Sequence, residues 1–117
     1  MIATILILLV ALIHAYFLVL EMFRWEAPRT RKVFGTTPEF AAESRVLAAN
    51  QGLYNGFLSA GLIYGLWLGQ AGAPLISFVL VCVVIAGIYG AITATKAAFV
   101  AQTIPAALAL GAFWLGL

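Results

Sequence analysis

The chain has 117 residues, 65% of them hydrophobic and 9% charged, with a net charge of +2. Soluble domains carry roughly 25% charged residues. So few charges cannot cover so much apolar side chain in water, which excludes an ordinary soluble domain and makes lipid the solvent for most of the chain. The length allows one domain, and the mean hydropathy of +1.12 agrees with a lipid setting.

The first run, Met1 to about Met22, reaches the roughly 20 residues that a helix needs to span a bilayer. It has no basic leader segment, and its Glu21–Arg24 flank suits a retained helix better than a signal peptide. His14 and Glu21 stand inside it, seven residues apart and so on one helix face.

A connection of about residues 23–45 follows, containing "APRTRKVFGTTPEF". The sequence marks a helix start here: Thr36 or Thr37 as N-cap, Pro38 in the first turn, Glu39 at the positive end. The second helix is therefore expected to begin near Pro38 and run about 30 residues, roughly 45 Å, into the membrane.

Three more spans are expected at about residues 46–68, 74–95 and 97–117. "GQAGAP" breaks the second from the third, and "TATKAA" the third from the fourth. The expected fold is all-α: an integral-membrane, up-down bundle of four transmembrane helices forming a single domain over residues 1–117.

All six basic residues, Arg24, Arg29, Arg31, Lys32, Arg45 and Lys96, lie in the first and third connections or at their edges. The excess of Lys and Arg in cytoplasmic loops places both connections inside and both termini outside. Trp25 then falls at the inner interface, and Trp67 and Trp114 near the outer one, where indoles prefer to sit. The charge is a topology signal, and no nucleic-acid patch is present.

Depth counted at 1.5 Å per residue from Trp25 puts Glu21 about 6 Å and His14 about 16 Å into the bilayer. From Arg45, Asn50 lies about 7 Å deep and Asn55 about 15 Å. His14 is expected to share a layer with Asn55, and Glu21 with Asn50. Gln51, Asn55 and Ser59 share one face, and Tyr89 and Gln102 come near the same depth from Lys96. The outer half is almost wholly apolar. A charged group at a helix centre costs about 2.5–3.5 kcal/mol on insertion scales, so such groups face the bundle interior or a wet cavity. His14, Glu21, Asn50, Gln51, Asn55, Tyr89 and Gln102 are thus the candidate lining of a cytoplasm-facing polar pocket. The bland alternatives are a Glu21 pairing with Arg24 or Arg45, a packing histidine, and asparagines that glue helices together.

Gly61, Gly65 and Gly69 recur every four residues, and Gly52 and Gly56 likewise. Small residues at this spacing let helices approach closely, either within the bundle or at a seam between two copies. Cys82 is the single cysteine and reads as an apolar filler. No metal set, P-loop or dinucleotide motif is present, no cofactor is implied, and a Ser–His–Asp triad is impossible without an aspartate.

The segment "LEMFRWEAPRTRKVFGTTPEFAAESRVLAANQGLYNGFLSAGLIYG", together with His14, resembles the small bacterial membrane-protein family called domain of unknown function 1304. The resemblance covers essentially the whole chain. It implies four transmembrane helices and a bacterial inner membrane, and it transfers no reaction, ligand or site. Three classes of function remain. One is a protein that binds or transports a small polar or anionic ligand, drawn by the basic loop residues Arg24, Arg29, Arg31, Lys32 and Arg45. Another is a membrane-embedded enzyme with His14 or Glu21 as acid or base. The third is an accessory subunit whose loop docks a partner or anionic lipid headgroups. Ligand binding or transport is the reading taken forward.

Overall fold

In a computed structural model describing residues 1–117, the chain is helical, without strands. Helix α1 spans Ile2–Phe23, α2 Pro28–Phe34, α3 Pro38–Glu43 and α4 Arg45–Trp67. A 3-10 turn at Gly69–Gly72 leads into α5, Ala73–Thr93. A π-helical segment, Phe99–Thr103, runs into α6, Ile104–Trp114. The stretch Gly69–Thr93 and helix α1 are both long and apolar enough to cross a membrane.

The contacts gather into two compact units. The first holds residues 1–13 and 58–117. Its core joins Ile7 and Val10 of α1, Leu62 of α4, Ile76, Leu80 and Val83 of α5, and Ala106 and Ala109 of α6. Within it Ser59 Oγ donates to the Ala11 carbonyl at 2.8 Å, and the Met1 ammonium donates to the Leu117 carbonyl at 2.8 Å. Gly61 lies against Val79, and Gly65 against Ile76. Gly69, at φ 64, makes the left-handed turn that ends α4.

The π segment has a local cause. Pro105 has no N–H to give the carbonyl of Ala101, and its ring crowds that carbonyl. The ladder slips to the wider spacing just before it, so that the Ile104 N–H bonds Phe99 O. Thr103 Oγ1 ties the segment to α5 through the Val84 carbonyl at 3.0 Å.

The second unit holds residues 14–57. Its α2 was not expected from the sequence, which suggested only a loop there. Pro28 sits in the first turn, where its missing N–H costs nothing, and Gly35 closes the C-terminus at φ 68. The expected start at Pro38 is found: Thr37 Oγ1 accepts from the Phe40 N–H at 3.1 Å. The continuous 30-residue helix is not. Ser44, at φ −94 and ψ 5, separates α3 from α4. Its hydroxyl donates back to the Phe40 carbonyl at 2.7 Å and accepts from Trp25 Nε1 at 3.0 Å. Such back-bonding to the carbonyl four residues earlier bends helices.

Candidate functional site

The buried positions of the second unit explain which polar residues meet. On α1 they fall at His14, Leu20 and Glu21, of which His14 and Glu21 continue the spacing of three and four set by Ala3, Ile7 and Val10. On α4 the same spacing picks out Ala48, Gly52 and Asn55. A stripe of period 3.5 is the seam along which two helices pack with a shallow crossing. Gly52 is the close approach: a Cβ there would stand 2.7 Å from Met22 Cγ and 3.0 Å from Glu21 Cβ. With the backbones this near, Asn55 Nδ2 reaches Glu21 Oε1 at 2.5 Å. A carboxyl group removed from water needs such a donor, because an unmade hydrogen bond there costs its full desolvation.

The expected layers differ from the observed ones. Glu21 meets Asn55 rather than Asn50. Asn50 lies off the buried stripe, is exposed, and bonds its own helix at the Val46 carbonyl, 2.9 Å away. Gln51 is also exposed. His14 is fully buried, edge-on to Phe17 with ring centroids 5.8 Å apart. Phe17 in turn meets Phe34 of α2, and Phe34 meets Trp25 at 5.0 Å. This row of rings, with the buried Thr30, fixes α2 against the end of α1. Tyr89 and Gln102 belong to the first unit, where Tyr89 is exposed and Gln102 half-buried.

Beyond the last turn of α1 the chain folds around an open cleft of about 330 Å³. Met22, Phe23, Arg24, Trp25, Glu26, Ala27 and Arg45 line it. Arg45 Nη1 stands 3.8 Å from Glu26 Oε2, and both side chains remain largely in the open. Arg31 Nε donates to the Glu26 carbonyl at 3.2 Å, while Arg29 and Lys32 lie exposed on α2. Of the basic residues marked in the sequence, the structure thus gathers Arg24 and Arg45 at one cleft. Trp25 and Glu26 were not marked as site residues. The signal was the mixed "FRWEA", in which charged and aromatic groups alternate directly after an apolar helix.

These features define a helical protein with two helices apolar enough to cross a membrane and a buried carboxyl–carboxamide pair beside a cationic cleft. The chain belongs to the protein family of unknown function DUF1304, whose profile matches residues 8–114. It is 36% identical over 108 residues to the uncharacterized protein YpaA of Lactococcus lactis subsp. lactis strain IL1403, covering 91% of each chain. No solved structure matches it.

Proposed function

We propose that this chain is a four-span protein of the bacterial inner membrane that binds or carries a small anionic ligand on its cytoplasmic side. The apolar surface supports the membrane setting. The most apolar windows of α1 and of Gly69–Thr93 are only 28% buried, whereas a core helix of a soluble protein is mostly buried. Leu12, Val19, Phe78, Ile85 and Ile92 stand exposed with nothing but lipid to suit them. Helix α4 has the length of a span at 23 residues, and its Asn55 and Ser59 are bonded inward. The bond between the first and last residues supports an even number of crossings, because it holds both on one side.

The observation that carries the ligand reading is the cleft itself. Two arginines line a space large enough for a small molecule, whose lining begins one residue beyond the buried Glu21. Guanidinium groups favour anions with planar or tetrahedral oxygens. Mass spectrometry of the purified protein, with no candidate chosen beforehand, tests this. An anionic small molecule or lipid retained by the wild type and lost on Arg24→Gln/Arg45→Gln is the expected result. Retention of nothing anionic, or equal retention by the variant, removes the reading.

A further inference from the structure

We infer that the cleft between the end of α1 and the start of α4 is a site for the phosphate of an anionic membrane phospholipid. The inference rests on the ligand-binding reading above and names the ligand's chemistry. The lining of the cleft is amphipathic. Met22 and Phe23 are the last apolar residues of α1, and Phe23 is 72% exposed. Arg24, Trp25 and Glu26 follow directly in the chain, and Arg45 at the start of α4 also lines the cleft. A lining that joins apolar side chains, an indole and two arginines suits a molecule that joins an acyl chain to a phosphate. A fully water-soluble anion has no use for the apolar side chains.

The cations are available. The Arg45–Glu26 contact is long at 3.8 Å, and its partners are 69% and 47% exposed. Exposed pairs of this kind contribute little. A phosphate offers Arg45 shorter, charge-assisted bonds, which are among the stronger hydrogen bonds. Arg24 is exposed and lines the same cleft. Trp25 is held in place: its Nε1–H donates to Ser44 Oγ and its ring packs at a tilt against Phe34, so it lines the cleft at little cost in ordering. Glu26 adds selectivity. Its carboxylate beside the phosphate disfavours a headgroup carrying a second negative charge and tolerates a neutral or cationic one.

The test compares lipid retention by native mass spectrometry in a neutral detergent, titrating phosphatidylglycerol against the intact protein. Arg24→Gln/Arg45→Gln is expected to weaken retention at least tenfold, the loss of one or two charge-assisted hydrogen bonds. Arg29→Gln/Lys32→Gln removes the same charge outside the cleft and is expected to change it less than about threefold. Arg24→Lys/Arg45→Lys keeps the charge and is expected to restore part of the binding. Equal losses in the cleft and control variants overturn the inference, because the attraction is then diffuse. Soluble glycerol phosphate is titrated in parallel. If it binds with the same dependence on Arg24 and Arg45 while phosphatidylglycerol does not, the lipid assignment falls and the anionic-ligand function stands. If neither probe depends on the two arginines, both fall. Circular dichroism and melting of each variant check that the fold is kept, as is expected for exposed side chains.

Discussion

Asn55 donates its side-chain amide to Glu21 Oε1 at 2.5 Å, and both residues are buried on facing stripes of α1 and α4. Both are only 7% exposed. Replacing Asn55 with Leu strands the carboxyl group and is expected to destabilise the protein by about 1–3 kcal/mol. The double change Glu21→Leu/Asn55→Leu removes both polar groups and is expected to cost less than the sum of the single changes, with a coupling of about 0.5–3 kcal/mol. Melting of the four proteins in one detergent measures the cycle. Strict additivity would mean that the bond contributes nothing to holding the helices together.

The pairing shows how far depth alone carries a sequence argument. Counting from Trp25 and Arg45 ranks Glu21 with Asn50, but depth ignores which side of the helix a residue occupies. Asn50 falls between Ala48 and Gly52 on the buried stripe and turns outward. The spacing of Ala48, Gly52, Asn55 and Ser59, small or polar at steps of four, three and four, was legible and would have selected Asn55. The start at Thr37–Pro38 was readable because capping is a local matter of two or three residues. Helix α2 was equally well signed by Pro28 and Gly35, yet its seven residues are too few to show a period. Its place comes from Phe34 packing on Trp25 and Phe17. The bend at Ser44 carries both a back-bond to Phe40 and a bond from Trp25, nineteen residues away, and no local pattern announces the second.

Small residues in this chain are not equivalent. A methyl group on Gly72 would run into the backbone of Gly65, including its carbonyl oxygen, and neither backbone can move aside cheaply. Gly72→Ala is therefore expected to lower stability by about 1–3 kcal/mol or more. Gly111 lies within α6 with nothing within 4 Å of the same methyl position. Gly111→Ala is expected to raise stability by about 0.5–1 kcal/mol, the helix preference of alanine over glycine. The two variants melted side by side should move in opposite directions. A common direction would place the tight turn elsewhere.

Ser44 and Thr37 hold the two ends of α3 by different means. Ser44→Ala removes the acceptor of Trp25 Nε1 and the back-bond to Phe40, and is expected to cost about 0.5–1.5 kcal/mol. Thr37→Ala removes one capping bond and is expected to cost about 1 kcal/mol. Amide exchange separates them. Both should speed exchange over residues 39–43, but only Ser44→Ala should also shift the emission of Trp25, read in a background with Trp67 and Trp114 replaced by Phe. Unchanged emission would show that the indole is not held by the serine.

The proposed orientation of the chain rests on charges that the structure leaves exposed. Arg24, Arg29, Lys32, Arg45 and Lys96 are exposed. Moving such a cluster through a bilayer during insertion is disfavoured, so the connections that carry them are expected in the cytoplasm. The turn at Gly69–Gly72 carries no basic residue and is expected outside. Two single cysteines in a Cys82→Ala background test this. Arg29 on α2 and Ala71 in the turn are both exposed, so neither change disturbs packing. In intact cells a membrane-impermeant thiol reagent should label Ala71→Cys and spare Arg29→Cys. In inside-out vesicles the labelling should reverse. If Arg29→Cys reacts in intact cells, the cleft bordered by Arg24 and Arg45 faces outward, and a cytoplasmic ligand for it is ruled out. Labelling of both positions from one side would show that α4 does not cross, leaving the membrane to α1 and α5.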